Sequence, residues 1–286
     1  MKNLFYKCIY HFILRLNKLF FSLFSNDQKK YLLSSVDPIF FSETFLNKYE
    51  LFPDIKTDSL FQLFCKKIDK KILRNENYSN QVSLYTTFVC VNYLIKNKIK
   101  GDIIESGVAN GRQVCLALEV LKYYKEVDFK IFLYDTFQGM VQPGKHDYKI
   151  WEKDNVKSIK EYEESLDENK TSSWQNYSLE QVKENIYKTE YPADKIKFVV
   201  GNVINTIPKN THENISLLRL DTDFYDSTKV ELEYLFPKVV KGGIIILDDY
   251  GAFTGVKKAT DEYLKKNHLY PLLVRSSFKE RVFIKS

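Results

Sequence analysis

Residues 101–123 read GDIIESGVANGRQVCLALEVLKY: a short apolar strand, an acid at its end, a turn holding Gly107 and Gly111, and a helix. A strand passing through a glycine turn into a helix is the repeating unit of parallel sheets covered on both faces. The unit recurs along the chain. FKIFLYDTF, KIKFVVGNV, SLLRLDTD and GGIIILDDYG read as further strands, and SLEQVKENIYK, STKVELEYLFPKVV and VKKATDEYLKK as helices between and after them. Upstream, Leu84, Phe88, Val89, Val91 and Leu94 mark another helix. The expected class is α/β, a doubly wound and mostly parallel sheet, with LYPLLVRSSF and RVFIKS closing it antiparallel. The longest irregular stretch runs from about 140 to 175 and carries both tryptophans.

Three regions are expected: a basic amphipathic segment over 1–26, a helical extension over 27–80, and the sheet domain over 81–286. The first 24 residues contain no acid, and Lys7, His11, Arg15 and Lys18 fall on one helical stripe opposite Phe5, Ile9, Phe12, Leu16, Leu19 and Phe20. Arg15 and Lys18 interrupt the apolar run that a membrane span needs. The segment therefore reads as lying at a membrane interface, or as docking on the body of the protein or on a neighbouring subunit. In the extension, Ser42 with Phe45, Leu46 and Tyr49 has the pattern of a capped amphipathic helix.

Composition narrows the function classes. A net charge of +6 over 286 residues, without a dense Lys/Arg run among exposed-type aromatics, does not favour nucleic acid as a partner. Cys8, Cys65, Cys90 and Cys115 are far apart and form no C-x-x-C, so they read as buried thiols of a reducing compartment. The expected location is cytoplasmic, peripheral at the inner face of the membrane if the leader binds lipid.

In sheets of this kind ligands bind in the crevice beyond the carboxyl ends of the strands. Gly107 allows a tight turn against a ligand, and the helix after Gly111 offers free N–H groups. Ala109 stands where a dinucleotide fingerprint needs its middle glycine, so adenosine without a pyrophosphate fits better. Asp135, ending the second strand, is placed to accept from ribose hydroxyls, and Asn202, after the third, to meet an adenine edge. Glu105, Asp135 and Asn202 each also suit a plain polar cap at a strand end.

The last two parallel strands end in acids. SLLRLDTD ends in Asp221 and Asp223, and GGIIILDDYG in Asp248 and Asp249. Asp221, Asp248 and Asp249 gathered at adjoining strand ends would hold about three negative charges within a few ångströms, which a hard divalent cation relieves. Ligation by oxygen alone points to Mg²⁺, with Mn²⁺ as the alternative. Asp223 is read as orienting substrate or the turn. Asp226, Ser227 or Thr228 can cap the following helix, with Thr228 and Glu231 at capping-box spacing. Of four histidines only His146 follows a strand end facing the crevice, in a loop able to cover a substrate; it is the candidate base.

The blocks IIESGVANG, LYDTFQGM, SLEQVKENIY, DKIKFVVGNVINTIP, LLRLDTDFYDST, LFPKVVKGGIIILDDYG and VKKATDEYL resemble the macrocin O-methyltransferase (TylF/MycF) family, in order and at similar spacing, from about residue 80 to 265. The resemblance implies a Rossmann-like methyltransferase sheet, S-adenosylmethionine as methyl donor, a divalent metal and a sugar hydroxyl as acceptor. Carried onto matching positions, it implies that Glu105, Gly107 and Gly111 line the methionine and ribose part of the cofactor. Asp135 would hold the ribose, Asn202 would lie near the adenine, and Asp221, Asp248 and Asp249 would bind the metal. It implies a histidine base from the loop region of His146, and a homo-oligomer whose N-terminal segments help enclose neighbouring sites. A catechol-like phenolic acceptor satisfies the same metal chemistry. A non-catalytic nucleotide- or glycan-binding scaffold is the reading from another class.

Overall fold

The computed structural model describes residues 53–71 and 81–286. The amphipathic segment over 1–26 with its membrane contact, and the helix expected near residue 42, lie outside the described residues. Three helices come first: α1 (Pro53–Thr57), α2 (Ser59–Lys71) and α3 (Gln81–Lys96). Then β1 (Asp102–Ser106), α4 (Arg112–Tyr123), β2 (Ile131–Asp135), α5 (Val156–Glu164), α6 (Leu179–Tyr187) and β3 (Ile196–Val200) follow. The chain continues through α7 (Val203–Thr206), β4 (Ile215–Leu220), α8 (Tyr225–Tyr234), β5 (Val239–Leu247) and α9 (Thr254–Lys266), and ends with β6 (Val274–Arg275) and β7 (Arg281–Ile284).

The strands make one sheet in the order β3-β2-β1-β4-β5-β7-β6. The first five pair in parallel, and β7 runs antiparallel to both β5 and β6. This is the doubly wound, mostly parallel α/β sheet read from the sequence, with the final pair closing one side. The winding reverses between β1 and β4, the switch point at which such sheets bind ligands.

Strand residues alternate between two cores, as the pleat requires. Ile103, Leu133, Leu217, Ile244 and Ile246 face the layer of α2, α3, α4 and α6. Ile104, Tyr134, Leu218, Ile245 and Leu247 face the layer holding α8. All six residues of β4 are buried, and Arg219 is the one charged residue among them. The same alternation puts Glu105 on the face of Ile103, Arg219 on that of Leu217, and Asp248 on that of Ile246.

Residues 47–286 form one compact unit. The sequence reading set 27–80 apart as an extension, yet Phe61, Phe64 and Ile68 of α2 share the core beneath the sheet. The Phe61 and Phe64 rings lie 5.5 and 6.2 Å from that of Phe88 on α3. The 140–175 stretch, read as irregular, contains α5 and is tied back at both ends. Met140 N–H donates to the Trp174 carbonyl at 3.1 Å. Gly139 has φ +82°, and a Cβ there would lie 2.2 Å from the Ser172 carbonyl oxygen. The polar surface of α5, with Ser158 its one buried residue, hid it from a search for apolar periodicity.

Cys65, Cys90 and Cys115 are buried, and burial raises the pKa of Cys90 and Cys115. Among the described residues no helix is long and apolar enough to cross a membrane.

Packing of α2 into the main core has a measurable consequence. Phe61 is fully buried. Phe61→Ala is expected to cost about 3–5 kcal/mol in denaturant unfolding, the range for emptying a packed aromatic site. A loss below about 1 kcal/mol would show α2 to be peripheral.

Candidate active site at the ends of β1, β4 and β5

The β1 turn is built against β4. Gly107 has φ +82°, and a Cβ on it would fall 1.8 Å from the Asp221 carbonyl oxygen, so only glycine fits. Gly107 N–H donates to the Tyr134 carbonyl at 2.8 Å, and Asp221 N–H to the Ser106 carbonyl at 2.9 Å. Asp248 N–H donates to the Leu220 carbonyl at 3.0 Å. The ladder thus continues past the strands and sets the turn, Asp221 and Asp248 edge to edge. Three non-glycine residues with left-handed backbone stand at these strand ends: Ala109 (φ 47°), Phe137 (φ 54°) and Asp223 (φ 65°). Such conformations cost energy and gather at functional sites.

Of the expected cofactor residues, Glu105, Gly107, Gly111 and Asp135 border this turn, and Asn202 stands at the end of β3, two strands away. Gly111, with φ +84°, is the N-cap of α4 and can offer no side-chain cap; Arg112 N–H at the first turn donates to Asn110 Oδ1 at 3.1 Å. Asp135 holds the turn together. Its Oδ2 accepts from Val108 and Ala109 N–H at 2.7 and 3.1 Å, and its Oδ1 from Phe137 N–H at 2.8 Å. Asn202 caps α7, its Oδ1 accepting from Ile204 N–H at 3.0 Å. Both residues thus perform the structural job that competed with ligand binding in the sequence reading. Glu105 is buried and its carboxyl is pushed up to about 8 by burial, with Arg219 opposing.

Arg219 is the centre of the arrangement and was not singled out from the sequence. Its Nη2 is 2.9 Å from Asp221 Oδ2 and 2.5 Å from Asp248 Oδ1, and its Nη1 is 2.9 Å from Glu280 Oε1. Its Nε lies 3.3 Å from Glu105 Oε1, close enough for ion pairing but too misaligned for a hydrogen bond. Register explains the convergence: Glu105 and Arg219 are direct partners across β1 and β4. Ser83 Oγ on α3 adds bonds to Glu280 Oε1 at 2.9 Å and Asp248 Oδ1 at 3.2 Å. Burial disfavours the guanidinium charge, but the surrounding acids outweigh that and hold it protonated.

The acids regroup relative to the sequence reading. One oxygen from each of Asp221, Asp223 and Asp249 lies within 4.8 Å of the others. Asp248 is not part of that group, because the pleat turns it toward Arg219 and its other oxygen meets the Lys279 ammonium. Burial raises its pKa, but Lys279 and Arg219 outweigh burial and hold it below the usual carboxylate range. Asp221 and Asp249 are raised by burial and by neighbouring carboxylates, and Asp223 is pushed up to about 7, mainly by burial. Asp249 Oδ2 is buried with no hydrogen-bond donor among the described residues. Hard oxygens crowded together, one of them orphaned, suit a small divalent cation. The D-x-D spacing of Asp221 and Asp223, two apart at a strand end, was the available signal for Asp223.

His146 sits apart from these acids. Its ring packs on Tyr225 at the start of α8, centroids 5.0 Å apart, and no hydrogen bond or ion pair joins it to the cluster. Its neighbour Asp147 fixes the loop: Oδ1 accepts from Tyr225 N–H at 2.7 Å and Oδ2 from Gly144 N–H at 2.7 Å. A Cβ at Gly255 on α9 would lie 2.0 Å from Asp147 Oδ1, so the helix approaches closely there. Asp147 therefore supplies the cap of α8 that the sequence reading gave to Asp226, Ser227 or Thr228. Glu231 forms no capping box; it is buried, pushed up to about 8 by burial, and accepts from Thr222 Oγ1 at 3.1 Å.

Comparison with known proteins places this geometry. The family model described as macrocin-O-methyltransferase (TylF) matches residues 83–275. The chain is 29% identical over 177 residues to demethyldecarbamoylnovobiocin O-methyltransferase of Streptomyces niveus, covering 62% of this chain and 63% of that protein. It is 28% identical over 174 residues to mycinamicin III 3''-O-methyltransferase of Micromonospora griseorubida, covering 61% of this chain and 64% of that protein. The chain thus matches less than two thirds of the length of these relatives. Among solved structures, the O-methyltransferase NovP superposes with a TM-score of 0.66 at 23% identity, over 79% of this chain and 99% of that one. The calicheamicin methyltransferase CalS11 gives 0.55 at 17% identity, over 78% and 91%. Both superpositions concern the fold. With a family match running from α3 through β6, the chain belongs to the macrocin-O-methyltransferase family.

Proposed function

We propose that this protein transfers a methyl group from S-adenosylmethionine to a hydroxyl of a sugar or glycosylated small molecule, with a divalent metal at the acidic end of the site. The observation that carries the reading is the contact between its two ends. Gly107, in the turn read as the cofactor site, abuts the Asp221 carbonyl so closely that no side chain fits between them. A donor bound in the turn and an acceptor at the acids would therefore meet in one crevice. Family membership supports methyl transfer, and the relatives, one a mycinamicin III 3''-O-methyltransferase and one a 4'-O-methyltransferase of a rhamnosyl tetracenomycin, support a sugar acceptor.

In the proposed reaction the acceptor oxygen attacks the methyl carbon attached to the sulfonium. The new C–O bond forms as the C–S bond breaks, sulfur leaves as a neutral thioether, and the hydroxyl proton passes to a base. Holding oxygen and methyl carbon in line supplies much of the rate. Glu105, Gly107 and Gly111 would line the methionine and ribose. Asp135 would act by shaping the turn as well as by facing the ribose, and the Asn202 amide would donate to adenine. Asp221, Asp223 and Asp249 would hold the Mg²⁺ or Mn²⁺, with Asp248 fixed behind them by Arg219. A bound divalent ion supplies Lewis acidity that lowers the pKa of an acceptor hydroxyl. His146, in the loop pinned by Asp147, is the proposed base.

Calorimetry is expected to show S-adenosylmethionine binding to the wild-type protein, and no heat at millimolar ligand would remove the donor assignment. Asp249→Asn is expected to lower turnover at least about a hundredfold, the effect of losing a preorganised charge, with cofactor affinity within a few fold of wild type. Full activity in excess EDTA would remove the metal.

His146→Ala is expected to lower the methyl-transfer rate by about 10²–10⁴ if its ring accepts the proton. A loss of less than about tenfold would assign the proton to the carboxylates instead.

A further inference from the structure

Lys279 occupies the place where a carboxylate cluster most needs positive charge. Its ammonium meets Asp248 Oδ2 and lies 3.1 Å from Asp249 Oδ1, and its side chain is only 15% exposed. The position is set by the fold. In the antiparallel β5–β7 pair Leu247 stands opposite Arg281, so one further step along each strand sets Asp248 opposite Glu280, and a second sets Asp249 opposite Lys279. Gly251 N–H donates to the Lys279 carbonyl at 2.7 Å. A Cβ at Gly251 would fall 2.4 Å from the Phe278 carbonyl oxygen and 3.0 Å from Lys279 Cα, so the two segments are in van der Waals contact. The lysine is held by its backbone against the turn that carries the acids.

Among the described residues two cations, Arg219 and Lys279, therefore serve six carboxyls: Glu105, Asp221, Asp223, Asp248, Asp249 and Glu280. Arg219 lies on the α3 side and ties the cluster to the strands. Lys279 is on the side of Asp249, whose second oxygen stays orphaned beside Asp221 and Asp223. An ammonium is a compact point charge on a flexible stem, and it seeks the same carboxylate lone pairs as a hard divalent ion. Its charge, a few ångströms from any ion held by these acids, raises that ion's energy in a poorly solvated site.

We infer that Lys279 is a tethered cation that competes with the divalent ion for the acids at the end of β5, and that this chain binds its metal weakly as a result. The inference rests on the metal site of the proposed function. It makes Lys279 a residue that sets metal affinity, whereas an ordinary structural ion pair would leave that affinity unchanged or support it.

The test is Mn²⁺ titration of the full-length protein followed by electron paramagnetic resonance, on wild type, Lys279→Met, Lys279→Gln and Lys279→Arg. The Met and Gln variants are expected to bind Mn²⁺ at least tenfold more tightly than wild type, and the Arg variant no more tightly. Thermal melts are expected to show Lys279→Met below wild type without metal and restored by Mn²⁺. Equal or weaker Mn²⁺ binding in the neutral variants, or equal tightening in Lys279→Arg, would overturn the inference. Calorimetry with S-adenosylmethionine on the same samples separates the two claims. Cofactor binding with no tightening of Mn²⁺ rejects the role of Lys279 alone. Tightening without cofactor binding keeps that role and rejects the methyl donor.

Discussion

A guanidinium only 3% exposed, with four carboxylates around it, holds the carboxyl end of this sheet together. Burying such a charge is costly unless partners surround it, and removing one member of a buried set leaves the others uncompensated. Arg219 sits in β4 between β1 and β5, and its partners come from β1, from the ends of β4 and β5, and from the residue before β7. One side chain thus fixes the relative heights of four strand ends. It also divides the acids: Asp248 is drawn back and kept ionised, while Asp223 and Asp249, grouped with Asp221, have raised pKa values. Bidentate, planar geometry suits Arg to this task in a way that a lysine's single nitrogen does not.

Around that centre, backbone fit does the remaining positioning. Gly107 against Asp221 joins the glycine turn to the acids, and Asp135 stiffens the same turn by accepting three backbone N–H bonds. Asp147 locks the loop of His146 to the start of α8 and to the close approach of α9. The left-handed residues Ala109, Phe137 and Asp223 are paid for by these contacts, which over-determine the turns in which they stand.

Much of this was legible in the chain. Apolar runs separated by glycine turns gave the parallel sheet, and Glu105, Asp135, Asp221 and Asp248 marked the carboxyl ends of its strands, although Asp135 also serves there as a backbone acceptor. What escaped the reading depends on partners distant in sequence. Arg219 looked like a stray charge in an apolar strand until register set it opposite Glu105. Lys279 acquires meaning only from the β5–β7 pairing, about thirty residues after the aspartates it meets, and Glu280 only from Arg219, 61 residues before it. Asp248 and Asp249 were grouped with Asp221 as acids at adjoining strand ends, whereas the structure ties Asp248 to Arg219 and Lys279. The cap of α8 came from Asp147, 78 residues upstream, which no local capping rule can find.

The central claim, that Arg219 organises both ends of the site by its forked geometry as well as its charge, is tested most directly by Arg219→Lys, measuring the melting temperature and the single-turnover methyl-transfer rate together. The variant is expected to fold, melt several degrees lower and transfer methyl at least about a hundredfold more slowly, because lysine restores one charge but not the simultaneous hold on Glu105, Asp221, Asp248 and Glu280. A variant that melts and turns over like the wild type would contradict it.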